Sequence, residues 1–139
     1  MDGVLTEQWL GKTYSGQITY TKSGFVSVNM ASLDPEFVPK DPAWPPRNDS
    51  SDLEWAQVAK HTLAYAGVWS ISDAIPATRT GGQVLNGPLS VSSVPALRGT
   101  TQVRNFTLFR EGDKTILKLF FSRIGNVTFY ADIWWTKQD

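Results

Sequence analysis

The chain has 139 residues, with 13 Lys and Arg against 13 Asp and Glu, one His and no Cys. Zero net charge without a basic run gives no sequence-independent grip on phosphates, so nucleic acid is not an expected partner. The lack of thiols removes disulfides, Cys-ligated metals and iron–sulfur clusters, and one His cannot build a His-rich zinc site, so neither metal nor cofactor is expected. With 41% hydrophobic and 12% aromatic residues, the length suits a single domain over residues 1–139 with a core of its own. No apolar h-region opens the chain and no run of about 18 apolar residues occurs, which predicts a cytoplasmic protein with no membrane partner. The sequons at Asn48, Asn105 and Asn126 then read as chance.

Period-two alternation over residues 17–21 and 25–30, separated by Lys22-Ser23-Gly24, predicts a hairpin. Five prolines between Asp34 and Arg47 cannot sit in a paired strand and predict a loop, within which Trp44 is expected to bury as part of a lid or a dimer clasp. Ser50-Ser51-Asp52 supplies an N-cap, and Trp55, Val58, Ala59, Thr62, Leu63 and Ala66 at helical spacing predict one amphipathic helix over 52–65. A strand follows over 66–73, then short pieces near 83–86 and 89–94 broken by Asn86-Gly87-Pro88, then a meander over about 100–110, 114–122 and 126–136. About eight strands result, an all-β antiparallel barrel or sandwich with one helix. Gln102, Arg104, Phe106 and Leu108 share one strand face, as do Tyr130, Asp132 and Trp134. Mixed polar and aromatic residues suit a lined cavity, although Gln102 and Arg104 could equally face solvent.

Several strings in order carry a resemblance. They are Gly16-Gln17-Ile18-Thr19-Tyr20-Thr21, Gly24-Phe25-Val26-Ser27-Val28, Ala64-Tyr65-Ala66-Gly67-Val68-Trp69, Gly99-Thr100-Thr101-Gln102-Val103-Arg104 and Asp132-Ile133-Trp134-Trp135. Over about residues 14–136 the chain resembles the lipocalin-like domain family. It departs where the family opens on a Gly-Thr-Trp strand, for which residues 1–13 offer only Trp9-Leu10-Gly11, and where a His-containing strand is replaced by Leu89-Ser90-Val91-Ser92-Ser93. The resemblance implies a lipocalin-like antiparallel barrel around a small hydrophobic molecule. It also implies kinship with cofactor-free cyclases and isomerases of polyketide or terpenoid intermediates, including fungal natural-product enzymes.

Without metal, thiol or nucleotide loop, chemistry would consist of proton transfer and charge stabilisation in a dry cavity. Arg104, Asp132 and Tyr130 are the candidate catalytic residues: a fixed cation for an oxyanion, a carboxyl as acid or base, and a phenol donor. Arg104 and Asp132 could instead be an ion pair that closes the barrel. Tyr20, Tyr65, Trp69, Gln102, Phe106, Trp134 and His61 are the candidate ligand-binding residues, with His61 flanking the helix stripe beside Tyr65. The expected function is cofactor-independent cyclisation or isomerisation of an aromatic or polycyclic metabolite, such as an oxa-ring closure. The alternatives are a non-catalytic carrier and an assembly protein that buries its aromatic faces in a homodimer.

Overall fold

Alternation from Tyr14 onward becomes a continuous meander. The computed structural model describes residues 9–121 and 131–138. Seven antiparallel strands lie in chain order in one sheet: β1 (Tyr14–Tyr20), β2 (Phe25–Ser32), β3 (Thr62–Ile71), β4 (Gly81–Ser92), β5 (Gln102–Glu111), β6 (Lys114–Phe121) and β7 (Ala131–Thr136). The sheet curls into a nearly closed lipocalin-like barrel with one helix, α1 (Asp52–Lys60). Val26, Val28 and Met30 from β2, Tyr65 from β3 and Leu89 from β4 fill its interior with Leu10. The first part of the strand expected over about 126–136, residues 126–130 with the candidate Tyr130, lies outside the described residues.

Among the described residues there are seven strands, because residues 83–86 and 89–94 fall on one strand, β4 (Gly81–Ser92), rather than two. Across β3 and β4, Trp69 pairs with Asn86 but Gly67 pairs with Leu89, so β4 holds an extra residue there. Gly87 and Pro88 occupy this bulge, where a missing N–H costs no ladder bond. Gly87 has φ +147°, and a Cβ on it would come within 2.5 Å of the Thr100 carbonyl oxygen. The breakers therefore bend the strand without ending it.

The helix is shorter than its spacing predicts. Ser51 caps it by accepting from the Glu54 N–H, and Asp52, Glu54 and Lys60 complement its dipole. It stops at Lys60, where the His61 N–H and the Thr62 hydroxyl both turn back to the Val58 carbonyl. From Thr62 the chain pairs with β2, and Leu63, Tyr65, Gly67 and Trp69 alternate inward. Sheet pairing and burial outweigh a helical spacing that would have carried the helix to residue 65. No helix residue is fully buried, so α1 rides on the surface.

The proline-rich connection contains one short 3-10 turn, Pro35–Phe37. Trp44 does not bury as its size predicts. It is 87% exposed.

Candidate functional site

Register decides which residues face the interior. Arg104 pairs with Val84, Gln102 with Asn86, and Phe106 with Leu119, while Leu117 and Leu119 pair with Trp135 and Ile133. Gln102, Arg104, Phe106 and Leu108 therefore line the inside of β5, together with Asn86 from β4 and Ile133 and Trp135 from β7.

At one level of this interior the polar side chains converge. The Asn86 amide nitrogen donates to the Tyr20 hydroxyl at 3.2 Å, and Asn86 is 0% exposed. Burial pushes the Tyr20 hydroxyl up to about 12, with the Asn86 bond and the nearby Arg104 charge pulling the other way. Burial raises Tyr65 as well, again opposed by Asn86 and Arg104. Burial lowers Arg104, against the pull of the two tyrosines. Its guanidinium donates to the Val103 carbonyl at 2.8 Å and to Gln102 Oε1 at 3.2 Å, and Gln102 Nε2 donates to Thr100 at 2.9 Å. Trp69 donates its Nε1–H to the Thr21 carbonyl at 2.9 Å and meets the Tyr20 ring edge to face at 5.2 Å. Two phenols, the amides of Asn86 and Gln102 and one guanidinium thus share one level of the interior.

The way in lies at the sheet's two edges. In a meander of seven strands the first and last run parallel, so β1 and β7 cannot close with an antiparallel ladder. Among the described residues no ladder joins them, and a groove of about 760 Å³ follows their line. Ile18, Leu108, Leu117, Ile133 and Trp135 make its apolar wall, and Tyr20, which also lines it, links it to Asn86. That volume is in the range of small-molecule sites. A second groove of about 300 Å³ on the outer wall, beside Phe25, Val68 and Pro88, has no titratable side chain in its lining.

A model of the lipocalin-like domain matches residues 2–137, a span that includes all seven described strands. The chain belongs to the lipocalin-like domain family. No curated protein and no solved structure matches it. Lipocalin-like barrels are built to hold small molecules, and the groove and its polar end are where this one has room.

The barrel brings together Tyr20, Tyr65, Trp69, Gln102 and Arg104, with Phe106 two residues further along the same face. It does not bring Asp132 there, and Trp134 meets the site only where it lines the rim of the groove between β1 and β7. On β7 these two share the outer face, because Ile133 and Trp135 take the inner one. Asp132 pairs with Lys118 at 3.0 Å instead of Arg104, and Trp134 is 53% exposed, edge to face with Phe109 at 5.6 Å and 5.0 Å from the Lys118 ammonium. The expected Arg104–Asp132 pair is thus replaced by an outer-face ion pair, since adjacent strand residues point to opposite faces.

His61 is also elsewhere. It ends α1, its Nδ1 meets the Trp9 carbonyl oxygen, and its ring stacks on Phe37 at 3.7 Å. There it ties the helix end to the segment before β1. Asp34 fastens the same segment, accepting from the Lys12 and Thr13 N–H groups at 2.6 and 2.9 Å, which hold its carboxyl below the usual range. Gly11 permits this approach, with φ +76° and no room for a Cβ beside Asp34.

Asn86 is a site residue that the candidate set lacks, and Trp135 lines the groove as an aromatic wall, as its sequence position beside Trp134 suggests. Asn86 sits in phase with Val84, so a polar residue on an apolar alternation was its signal, masked by the turn chemistry of Gly87-Pro88. Among the described residues no three His, Cys, Asp or Glu side chains gather as a metal site, and no helix is long and apolar enough to cross a membrane.

Proposed function

We propose that this lipocalin-like barrel binds a small, mainly apolar molecule, aromatic or polycyclic, with an oxygen-bearing end against Tyr20, Tyr65, Asn86 and Arg104. The observation that carries this reading is a buried polar cluster around Asn86 that meets the groove through Tyr20, the member of the cluster that lines it. A core built for stability alone would fill that level with aliphatic side chains, because buried polar groups cost free energy unless they are fully bonded. The chain acts in this reading as one domain, in the cytoplasm.

The same cluster favours a cofactor-independent isomerisation or ring closure of a polyketide- or terpenoid-like substrate. Tyrosines whose ionisation burial suppresses keep their protons at neutral pH and can donate to a substrate oxygen. A guanidinium beside them can hold the negative charge that develops on that oxygen. Asp132 has no part in this, since it faces away. A proton lent by a phenol returns to it from the substrate carbon or hydroxyl that closes the ring, so mass is unchanged.

The test is incubation of the purified protein with phenolic polyketide and prenylated aromatic extracts, read by chromatography and mass spectrometry. Retained compound supports binding, and a new peak of unchanged mass, absent with boiled protein and lost in Arg104→Ala, supports conversion. Retention without conversion leaves a carrier. If nothing is retained or converted, the reading fails.

A further inference from the structure

The inner face of β5, β6 and β7 is layered. Phe106, Leu119 and Ile133 are neighbours across the three strands at one level, and Leu108, Leu117 and Trp135 at the next. One level further, at the last pair but one before the β5–β6 turn, Arg110 pairs with Thr115. The Lys137 N–H donates to the Thr115 carbonyl at 2.9 Å, which carries the β6–β7 register one residue past β7 and brings Lys137 into the same row. Residues on one face recur at every second position, so each level lies about 7 Å from the next. Two apolar levels thus end on a row of two cations with a hydroxyl between them.

That row is open to a ligand. Thr115 and Lys137 line the groove between β1 and β7, as do Leu108, Leu117, Ile133 and Trp135. Arg110 is exposed at the barrel end, and its guanidinium donates to the Thr115 hydroxyl at 3.4 Å. Lys137 is the one charged side chain in the groove's lining, which contains neither Asp nor Glu. Among the described residues the ion pairs are Arg47–Asp49 and Lys118–Asp132, so neither Arg110 nor Lys137 is held by a carboxylate of the protein. Two strand spacings, about 10 Å, separate the backbones that carry them, a gap that two long side chains span around one small anion.

We infer that the ligand is an amphiphilic acid, whose apolar frame lies on Leu108, Leu117, Ile133 and Trp135 and whose carboxylate sits at the end of the groove between Arg110 and Lys137. This rests on the binding reading above and adds a charged end to the ligand, apart from the oxygen function at Tyr20. A guanidinium offers a carboxylate two parallel donors, and an ammonium adds a compact charge. The Thr115 hydroxyl accepts from Arg110 and keeps its own hydrogen for the same anion. An amine would meet two like charges there, and a neutral ligand would leave both cations to water.

Three naphthalenes of one shape test it: naphthylacetic acid, naphthylethanol and naphthylethylamine. Binding is measured on the full chain at neutral pH and low salt, by tryptophan fluorescence and calorimetry. The acid should bind about tenfold more tightly than the alcohol, and the amine weakest, with the advantage of the acid shrinking as salt is raised. Arg110→Gln and Lys137→Gln, both at exposed positions, should each reduce that advantage, and the double variant should erase it without changing the affinity of the alcohol. Arg110→Gln with Lys137→Glu should reverse the order and favour the amine. Equal affinity for all three in the wild-type protein, which needs no variant to fold, would overturn this assignment and leave the binding reading intact. So would a preference for the acid that survives the double variant. No binding of any of the three would overturn both.

Discussion

The barrel has two unequal halves. In β2, β3 and β4 the inward residues Val26, Val28, Met30, Tyr65 and Leu89 form one dense cluster, and Leu89 is 2% exposed. In β5, β7 and β1 the inward residues are mostly half-buried, and the strands border a groove instead of a filled interior. The first half already satisfies its packing with its own side chains, and the second leaves that to something else. Stability should therefore reside in the first half and recognition in the second.

The largest effect should come from the dense half. Leu89→Ala is expected to cost about 2–5 kcal/mol in urea unfolding, and Leu108→Ala on the groove wall less than half as much. Equal losses would break the distinction between the halves. A pH series addresses the polar level where they meet. Because the folded Tyr20 hydroxyl is pushed up to about 12 from 10.0, the native state holds its proton longer, and stability is fully present below pH 10 and lost as pH rises towards 12. The loss should reach about 2–3 kcal/mol and be flattened in Tyr20→Phe.

Asp34 behaves with the opposite sign. Its carboxyl is depressed, chiefly by the Lys12 N–H, so its contribution is present above its ordinary value of 3.8 and disappears as pH falls through the lower folded value. Asp34→Asn should flatten the acid limb of the unfolding curve. Asp132→Asn breaks a partly exposed pair with Lys118 and should cost less than about 1 kcal/mol, with retention of the extract compounds unchanged. A large binding defect in that variant would return Asp132 to the site. Trp44→Ala should shift the thermal midpoint least, within about 0.5 kcal/mol, since the ring touches little of the barrel.

The candidate site was legible where alternation and chemistry agreed. On β5 the run Gln102, Arg104, Phe106 and Leu108 forms one face whichever way it points, and only its inward direction awaited the neighbouring strands. On β7 the two phases, Asp132 with Trp134 and Ile133 with Trp135, each carry a tryptophan, so aromatic content does not choose between them. The carboxylate does: an inward Asp132 would need a buried partner, while an outward one finds Lys118. At residues 62–65 the spacing fits a helix and a strand alike, and the Thr62 hydroxyl bond to Val58 with the β2 ladder settled it locally.

The sequence by itself determined an all-β meander with one capped helix and an interior mixing aromatic and polar groups, because alternation, turn residues and caps are local properties of the chain. The lipocalin-like family was legible for the same reason, as an order of short strings. Only the tertiary structure decided that, among the described residues, the seven strands leave β1 and β7 parallel with no ladder between them, that Asn86 bonds Tyr20 beside the groove, and that Asp132 faces out. Each of these depends on which strands become neighbours, and strand neighbours are chosen by the packing of the whole sheet.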